Sequence, residues 1–337
     1  MSITLKKLAL SAAFIAASAF AGDQVSGAGA TFPAPLYFDW AHNYQKETGN
    51  QVNYQSIGSG GGVKQVQAGT VDFGGTDEPL KPDALAKANL LQFPAVIGTI
   101  DVVYNLPEVK DQTLKISNAA AAGIFAGTIK TWNDPIIAKD NAGVKLPATP
   151  ITVVHRSDGS GTTFNFTYWL SAINADWKGK VGTGKDVNWP AGVGGKGNEG
   201  VAAVVKQTPG SIGYVESAYA KLNKMSRVQL QTKDGNFIPW TLAAAKASAA
   251  NATWTAQDNF YEILVNMPGK NSWPITAATF ILMPKAKVDK NKQVTKFFTY
   301  GFGANGDKAA EKLEYIPLPD TVVKMVNDYW KTNGVQP

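Results

Sequence analysis

The stretch VVHRSDGSGTTF, residues 153–164, passes from an apolar, β-branched segment through one arginine into a run of glycines and small hydroxyl residues. The pattern predicts a buried strand that is followed by a helix, with the small residues at the junction. Unpaired backbone N–H groups at the start of a helix carry partial positive charge and bind anions. Such a junction offers an anion closely approaching peptide groups and, at Arg156, one fixed charge, although a helix cap is the simpler interpretation of one junction by itself.

Three other segments share this composition: GAGATF (27–32), IGSGGG (57–62) and FGGTD (73–77). Each lies where a strand or loop pattern changes to a helix pattern, and each offers backbone N–H groups and a hydroxyl. Taken singly, such a segment is most simply a helix cap and a tight bend. In parallel α/β sheets these turns gather at the carboxyl ends of the strands. Four of them, with a lone arginine in one and a lone aspartate in another, favour a shared ligand site.

Strand and helix patterns alternate along the chain, with a small-residue turn at each change. Leu36, Trp40 and Tyr44 recur every four residues and predict a helix that stops at Gly49. The strings QVNYQSIG and TVDFGG then predict short strands on either side of a helical VKQVQAG. This alternation predicts the α/β class with a mostly parallel sheet.

Two long apolar segments, residues 93–107 and 272–285, lie early and late in the chain. Their length suits strands that cross between two lobes, and a chain of 337 residues is long enough for about two domains. The predicted division places residues 22–97 together with 273–337 in a discontinuous lobe I. Residues 98–272 then form lobe II.

The first 21 residues have the features of a secretory signal peptide. Two lysines precede an apolar run from Leu8 to Phe20, and the final AFA has the form of an A-x-A cleavage site. The run is short for a membrane span, so a membrane anchor is the less favoured alternative. We expect cleavage after Ala21 and a periplasmic location for the remaining chain.

The composition argues against several kinds of enzyme and partner. The chain has no cysteine and only two histidines, His42 and His155, which disfavours thiol chemistry, disulfides and metal sites built on these residues. Its formal net charge of +6 is spread out, without a basic cluster for nucleic acid. The string DGSGT lacks the G-x-S-x-G pattern, and neither Lys185 nor Lys196 completes a phosphate-binding Walker loop. His155 is predicted to be a strand residue with a structural or surface role. We therefore expect a binding protein that uses no cofactor.

Several longer strings resemble the periplasmic phosphate-binding proteins of bacterial ABC-type phosphate importers. They are spread over the chain after residue 21 and read GAGATFPAP, YQKETGN, VNYQ, FGGTDEP, DGSGT, GGKGNEG, IGYVESAYAK and WPIT. The resemblance implies the type II two-lobed periplasmic binding protein fold, in which each lobe is a mixed, mostly parallel sheet flanked by helices. It also implies a monomer that binds phosphate in the cleft between the lobes. The partner would be a transmembrane permease with its cytoplasmic ATPase.

The same resemblance implies a set of ligand residues. Phe32 is implied to act through its backbone N–H, Asp77 as an acidic acceptor, and Asp158 as the residue that pairs with and orients Arg156. The string GGKGNEG (194–200) is interpreted as a structural turn with a helix cap and is left outside the site. The implied phosphate-binding residues are Thr31, Phe32, Ser59, Asp77, Arg156, Ser160, Gly161 and Thr162.

In the role that the resemblance implies, Asp77 is expected to discriminate between oxyanions. Near neutral pH phosphate carries at least one O–H, whereas sulfate carries none. A carboxylate can accept a hydrogen bond from that O–H, but it would face a bare negative oxygen of sulfate, which costs binding energy. The resemblance therefore implies a receptor for inorganic phosphate, and Asp77 favours phosphate over other oxyanions. The alternatives are a binding protein for sulfate or molybdate and, less favoured, a secreted phosphomonoesterase.

Overall fold

The computed structural model describes residues 22–337. The predicted signal peptide and its cleavage site at Ala21 lie outside the described residues. In the part that is described, none of the helices combines the length and the apolar character of a membrane span.

Strands and helices alternate along this part of the chain, and the mixed α/β class that the sequence predicts is confirmed. The strands are β1 (Gln24–Gly29), β2 (Gln51–Ser56), β3 (Phe73–Thr76), β4 (Leu90–Tyr104), β5 (Lys115–Ile116), β6 (Thr152–Arg156), β7 (Val193–Gly195), β8 (Ser211–Glu216), β9 (Ser226–Arg227), β10 (Gln229–Gln231), β11 (Phe237–Ile238) and β12 (Thr276–Pro284). The helices are α1 (Ala34–Thr48), α2 (Ser59–Gln67), α3 (Pro82–Ala88), α4 (Asn118–Phe125), α5 (Pro135–Asp140), α6 (Gly161–Ile173), α7 (Ala175–Lys180), α8 (Gly197–Gln207), α9 (Ser217–Leu222), α10 (Leu242–Ala249), α11 (Val288–Gly301), α12 (Ala304–Lys312) and α13 (Asp320–Thr332).

The main sheet has nine strands in the order β2-β1-β3-β12-β4-β8-β6-β7, and β9 also pairs with β4. At one end, β1 pairs in parallel with β2 and with β3. At the other end, β6 pairs in parallel with β7 and with β8. Between them, β12 and β4 run antiparallel to their neighbours. We call the side with β2, β1, β3 and β12 the first half, and the side with β8, β6 and β7 the second half.

Strand β4 joins the two halves. All fifteen of its residues are buried, as expected for an apolar strand that is covered on both faces. It pairs with β12 up to Thr99 and with β8 from Ile100 onwards. The Ile100 N–H also donates to the carbonyl oxygen of Ile275 at 2.8 Å. Strand β12, in the late apolar segment, pairs with β3 and with the part of β4 up to Thr99. The exact lobe boundaries remain a prediction.

The first two helices show how far local pattern determines structure. Helix α1 ends as predicted, with Gly49 in the left-handed conformation at a φ of 78°. Helix α2 begins four residues earlier than predicted, at Ser59, and takes three glycines into its first turns. A Cβ atom on Gly62 would lie 2.5 Å from the Cα of Gly29 and 2.7 Å from the oxygen of Gly75. Close packing of α2 on the sheet thus requires glycine where helix propensity alone disfavours it.

Candidate functional site

The four glycine-rich junctions meet at the carboxyl ends of strands in the two halves. Thr31 and Phe32 follow β1, and Asp77 follows β3. Across the cleft, β6 ends at Arg156 and is followed by the start of α6. All of the predicted ligand residues are buried, so the junctions form one interior cluster: Thr31, Phe32, Ser59, Asp77, Arg156, Ser160, Gly161 and Thr162.

The starts of α2 and α6 face each other across the cleft and are in direct contact. The Gly161 N–H donates to Ser59 Oγ at 3.1 Å, and the Gly60 N–H donates to the Gly159 oxygen at 2.8 Å. A Cβ atom on Gly161 would lie 2.5 Å from Ser59 Oγ and 2.6 Å from the Cβ of Asp77. Glycine at these positions therefore allows the two helix starts to approach within hydrogen-bond distance.

Backbone donors are concentrated at this contact. Within residues 22–337, the N–H groups of Phe32, Ser59 and Thr162 have no hydrogen-bond partner. The next N–H of α6, that of Thr163, is capped by Ser160 Oγ at 3.0 Å. Unpaired N–H groups at two helix starts give the site a positive electrostatic potential without a net charge.

Arg156 is held by Asp158. Its Nε donates to Asp158 Oδ1 at 2.7 Å and its Nη2 donates to Oδ2, while Nη1 donates to Thr162 Oγ1 at 3.3 Å. The Gly197 N–H also donates to Asp158 Oδ1 at 3.0 Å. Burial acts to raise the pKa of Asp158, but the hydrogen bonds and the charge of Arg156 bring that pKa below its ordinary value. These contacts use three of the five guanidinium N–H groups, which leaves one on each Nη atom for a ligand.

Asp77 is the acidic group of the cluster. Its carboxyl Oδ2 lies 3.3 Å from Ser59 Oγ, and its backbone oxygen accepts from Asn165 Nδ2 at 2.8 Å. Among the described residues, Oδ1 has no hydrogen-bond partner, so the carboxyl retains capacity to accept one. Burial raises the pKa of Asp77 to about 7, against the opposing effects of the Thr279 hydroxyl and the Arg156 charge.

Asn198 belongs to the cluster although the sequence analysis left it out. In the structure β7 ends at Gly195 and α8 begins at Gly197, so that the predicted turn is reduced to Lys196, whose side chain does not cap the helix. However, the Asn198 side chain is fully buried, and its Nδ2 donates to Thr31 Oγ1 at 2.6 Å and to Thr162 Oγ1 at 3.1 Å. The available signal was its place in a fifth glycine-rich junction between a strand and a helix.

Further contacts join the halves around the cluster. The Tyr219 hydroxyl donates to the Thr31 oxygen at 2.7 Å, and Ser56 Oγ donates to Glu199 Oε1 at 3.0 Å. His155, by contrast, is part of β6, and its ring stacks on Trp189 with 4.8 Å between the ring centroids. Its place in a strand agrees with the sequence prediction.

Comparison with known proteins identifies the family. A family model described as a PBP superfamily domain matches residues 15–305. The phosphate-binding protein PstS of Pasteurella multocida is 52% identical to this chain, over 91% of this chain and 90% of that protein. The phosphate-binding protein PstS of Haemophilus influenzae is 51% identical, over 92% of this chain and 93% of that protein.

Solved structures agree on the fold. The high-affinity periplasmic phosphate-binding protein PfluDING, solved with bound phosphate, aligns with a TM-score of 0.68 at 21% identity, over 90% of this chain and 93% of that chain. A phosphate-binding protein from Stenotrophomonas maltophilia aligns with a TM-score of 0.67 at 22% identity, over 90% and 92% of the two chains. These likenesses confirm the predicted two-lobed periplasmic binding fold. Together with the closer relatives, they place this chain in the PstS family of phosphate-binding proteins.

Proposed function

We propose that this protein is a periplasmic receptor that binds inorganic phosphate between its two halves and delivers it to an ABC-type importer. The relatives from Pasteurella multocida and Haemophilus influenzae, both phosphate-binding proteins, support phosphate as the ligand. The proposal includes export by residues 1–21, a monomeric receptor, and docking to a transmembrane permease that works with a cytoplasmic ATPase. It assigns no catalytic step and no cofactor to the protein.

The observation that carries the proposal is a buried carboxyl group inside a cluster of anion-binding donors. The charge of Arg156 is largely offset by Asp158, so most of the attraction for an anion comes from N–H and O–H dipoles. Asp77 would repel any oxyanion that has no proton to share. Phosphate satisfies both kinds of group, because it presents bare oxygens to the donors and an O–H to the carboxyl.

The proposed ligand contacts come from both halves. Thr31, Phe32, Ser59 and Asp77 would bind from the first half. From the second half, the Arg156 side chain would bind together with the start of α6, which supplies Ser160, Gly161 and Thr162. A ligand that interacts with both halves stabilises the closed arrangement over an open one, so binding is coupled to closure. The moving bodies would be residues 22–97 with 273–337, and residues 98–272.

The alternatives fit the cluster less well. Sulfate and molybdate have no O–H for Asp77 at neutral pH. A phosphomonoesterase would need an activated nucleophile or a metal site. Residues 22–337 contain no group of three His, Cys, Asp or Glu side chains arranged to hold a metal ion, and His155 is stacked on Trp189. These observations support a binding role.

Calorimetric titration of residues 22–337 with inorganic phosphate, then with sulfate, tests the proposal. We expect one phosphate per chain, unchanged binding after chelator treatment, and no detectable sulfate binding at the same concentrations. Phosphate at 100 times its dissociation constant should stabilise the fold by about 2.7 kcal/mol in thermal unfolding. Tight sulfate binding, or hydrolysis of a phosphomonoester at an enzyme-like rate, would show the proposal to be wrong.

A further inference from the structure

Asn198 is a fully buried amide whose polar atoms are all engaged. Its Oδ1 accepts a hydrogen bond from the backbone N–H of Glu216 at 2.9 Å. Because a backbone N–H can only donate, this contact determines which end of the amide is the oxygen. The Nδ2 group must then face the hydroxyls of Thr31 and Thr162, to which it donates.

The Thr31 hydroxyl receives two hydrogen bonds from this one residue. Asn198 Nδ2 donates to Thr31 Oγ1 at 2.6 Å, and the Asn198 backbone N–H donates to the same atom at 3.2 Å. A hydroxyl oxygen has two lone pairs and one hydrogen, so these two bonds fill its accepting capacity. Its only remaining role is to donate. None of its hydrogen bonds within residues 22–337 uses that hydrogen.

The Thr162 hydroxyl is in the same state, although it belongs to the other half. It accepts from Asn198 Nδ2 at 3.1 Å and from Arg156 Nη1 at 3.3 Å. Its two lone pairs are therefore also filled by cationic or amide donors. Since Thr162 is fully buried, solvent cannot supply an acceptor for its hydrogen.

We propose that Asn198 is a positioning residue that makes the Thr31 and Thr162 hydroxyls obligatory hydrogen-bond donors to the anion, one from each half. The inference rests on the proposed function, because the donors act on bound phosphate. It also refines the basis of specificity. Both threonines match phosphate oxygens that carry no proton, and Asp77 supplies the acceptor for the oxygen that does. Without Asn198 each hydroxyl could rotate and accept, and the site would distinguish less sharply between the two kinds of oxygen.

A double-mutant cycle tests this inference, with inorganic phosphate as the probe in calorimetry. One arm is Asn198→Ala, and the other is the pair Thr31→Val and Thr162→Val, which removes both hydroxyls at nearly constant volume. In the wild-type background we expect Asn198→Ala to weaken phosphate binding by about 10- to 100-fold, the equivalent of one or two lost hydrogen bonds. In the double-valine background it should weaken binding by less than about threefold, because the groups through which it acts are gone.

A matched control separates positioning from general support of the fold. Asn291 is also fully buried, and it donates to a backbone oxygen, that of Pro284, at 2.8 Å in another part of the first half. We expect Asn291→Ala to lower the thermal stability of the ligand-free protein and to leave phosphate affinity within about twofold of the wild type. If Asn198→Ala does not fold, Asn198→Asp keeps an oxygen for the Glu216 N–H and enters the same cycle. Its second oxygen would accept from the two hydroxyls and so take their hydrogens from the anion, so Asn198→Asp too should weaken phosphate binding more in the wild-type background than in the double-valine background.

Two results would overturn the inference. One is an equal loss of affinity from the Asn198 substitution in both backgrounds, which would mean that the residue supports the fold and does not act through the hydroxyls. The other is an unchanged affinity in the wild-type background. Failure of the wild-type protein to bind phosphate is a separate result, which would reject the proposed function itself.

Discussion

Asp77 is the residue on which ligand choice depends in this account. Its carboxyl is almost fully buried beside Ser59 and Gly161, and burial raises its pKa to about 7. A carboxyl in this position opposes an anion unless the anion has a proton to share. Asp77 therefore lowers the affinity for phosphate little, whereas it lowers the affinity for sulfate strongly.

Replacing Asp77 with Asn should weaken selectivity more than it weakens phosphate binding. The amide keeps the shape and one acceptor oxygen, removes the repulsion, and can turn its NH₂ towards a bare oxygen. For phosphate, the loss of a charged acceptor opposes the removal of the repulsion, so phosphate affinity should change modestly. For sulfate, the removal of the repulsion and the new NH₂ donor both favour binding. The phosphate-to-sulfate preference should therefore shrink at least about tenfold, or about 1.4 kcal/mol. Competition by sulfate for bound phosphate measures this, and undiminished rejection of sulfate by Asp77→Asn would contradict the role of Asp77.

Sulfate binding should also depend on pH through the same carboxyl. As the pH falls below about 7, Asp77 takes up a proton, loses its charge and becomes a hydrogen-bond donor. Sulfate keeps both charges over this range, so its weak affinity should rise by up to about tenfold per pH unit as the pH is lowered towards about 7, and should level off below about 6, where Asp77 is already protonated. Calorimetry with sulfate alone measures the slope, with Asp77→Asn as the control. Equal slopes in the two proteins would assign the pH dependence to another group.

At the scale of secondary-structure elements, the candidate site lies where the N-termini of α2 and α6 come into contact. Helices α2 and α6 approach so closely that the backbone of one lies against side chains of the other, and Gly161 has no room for a Cβ. The same closeness directs the unpaired N–H groups of both helices to one small volume. The glycines of these junctions therefore have a steric role between the halves as well as a conformational one.

Gly161→Ala should weaken phosphate binding by preventing full closure. The added methyl would lie 2.5 Å from Ser59 Oγ and 2.6 Å from Asp77 Cβ, and overpacking of this kind costs about 1–3 kcal/mol. We expect an affinity loss of about 10- to 100-fold, with little change in the thermal stability of the ligand-free protein, since its halves can separate. Gly179→Ala in α7 is the control, because a Cβ there meets no atom within 4 Å. Wild-type affinity in Gly161→Ala would mean that the helix starts do not close on the ligand.

Strands β2, β3, β4, β6 and β12 and helix α1 could be predicted from the sequence because their signals are local. Alternating small-residue turns and the four-residue spacing in α1 were sufficient for these elements. The start of α2 could not be predicted, because its glycines are kept helical by the approach of Gly62 to Gly29 and Gly75. Likewise, the role of Asn198 depends on bringing Thr31 and Thr162 together, and it lies 167 residues from the first and 36 from the second.

At the scale of the whole molecule, a single sheet connects the halves while the ligand cluster lies between them. Strand β4 changes partners from β12 to β8 between Thr99 and Ile100, which provides a narrow covalent and hydrogen-bonded link. On the cleft side, the ion pair between Lys185 and Glu78 and the hydrogen bond between Ser56 and Glu199 join the halves. Polar contacts of this kind on the cleft side can break while strand β4 keeps the halves joined, which suits repeated opening and closing.

The central claim is that the two halves close specifically on phosphate, and small-angle X-ray scattering tests it most directly. Residues 22–337 are measured without ligand, with saturating phosphate, and with sulfate at the same concentration and ionic strength. The account predicts a smaller radius of gyration with phosphate, no change with sulfate, and a reduced response in Gly161→Ala. An unchanged radius of gyration when calorimetry shows the protein to be saturated with phosphate, or equal compaction with sulfate, would contradict it.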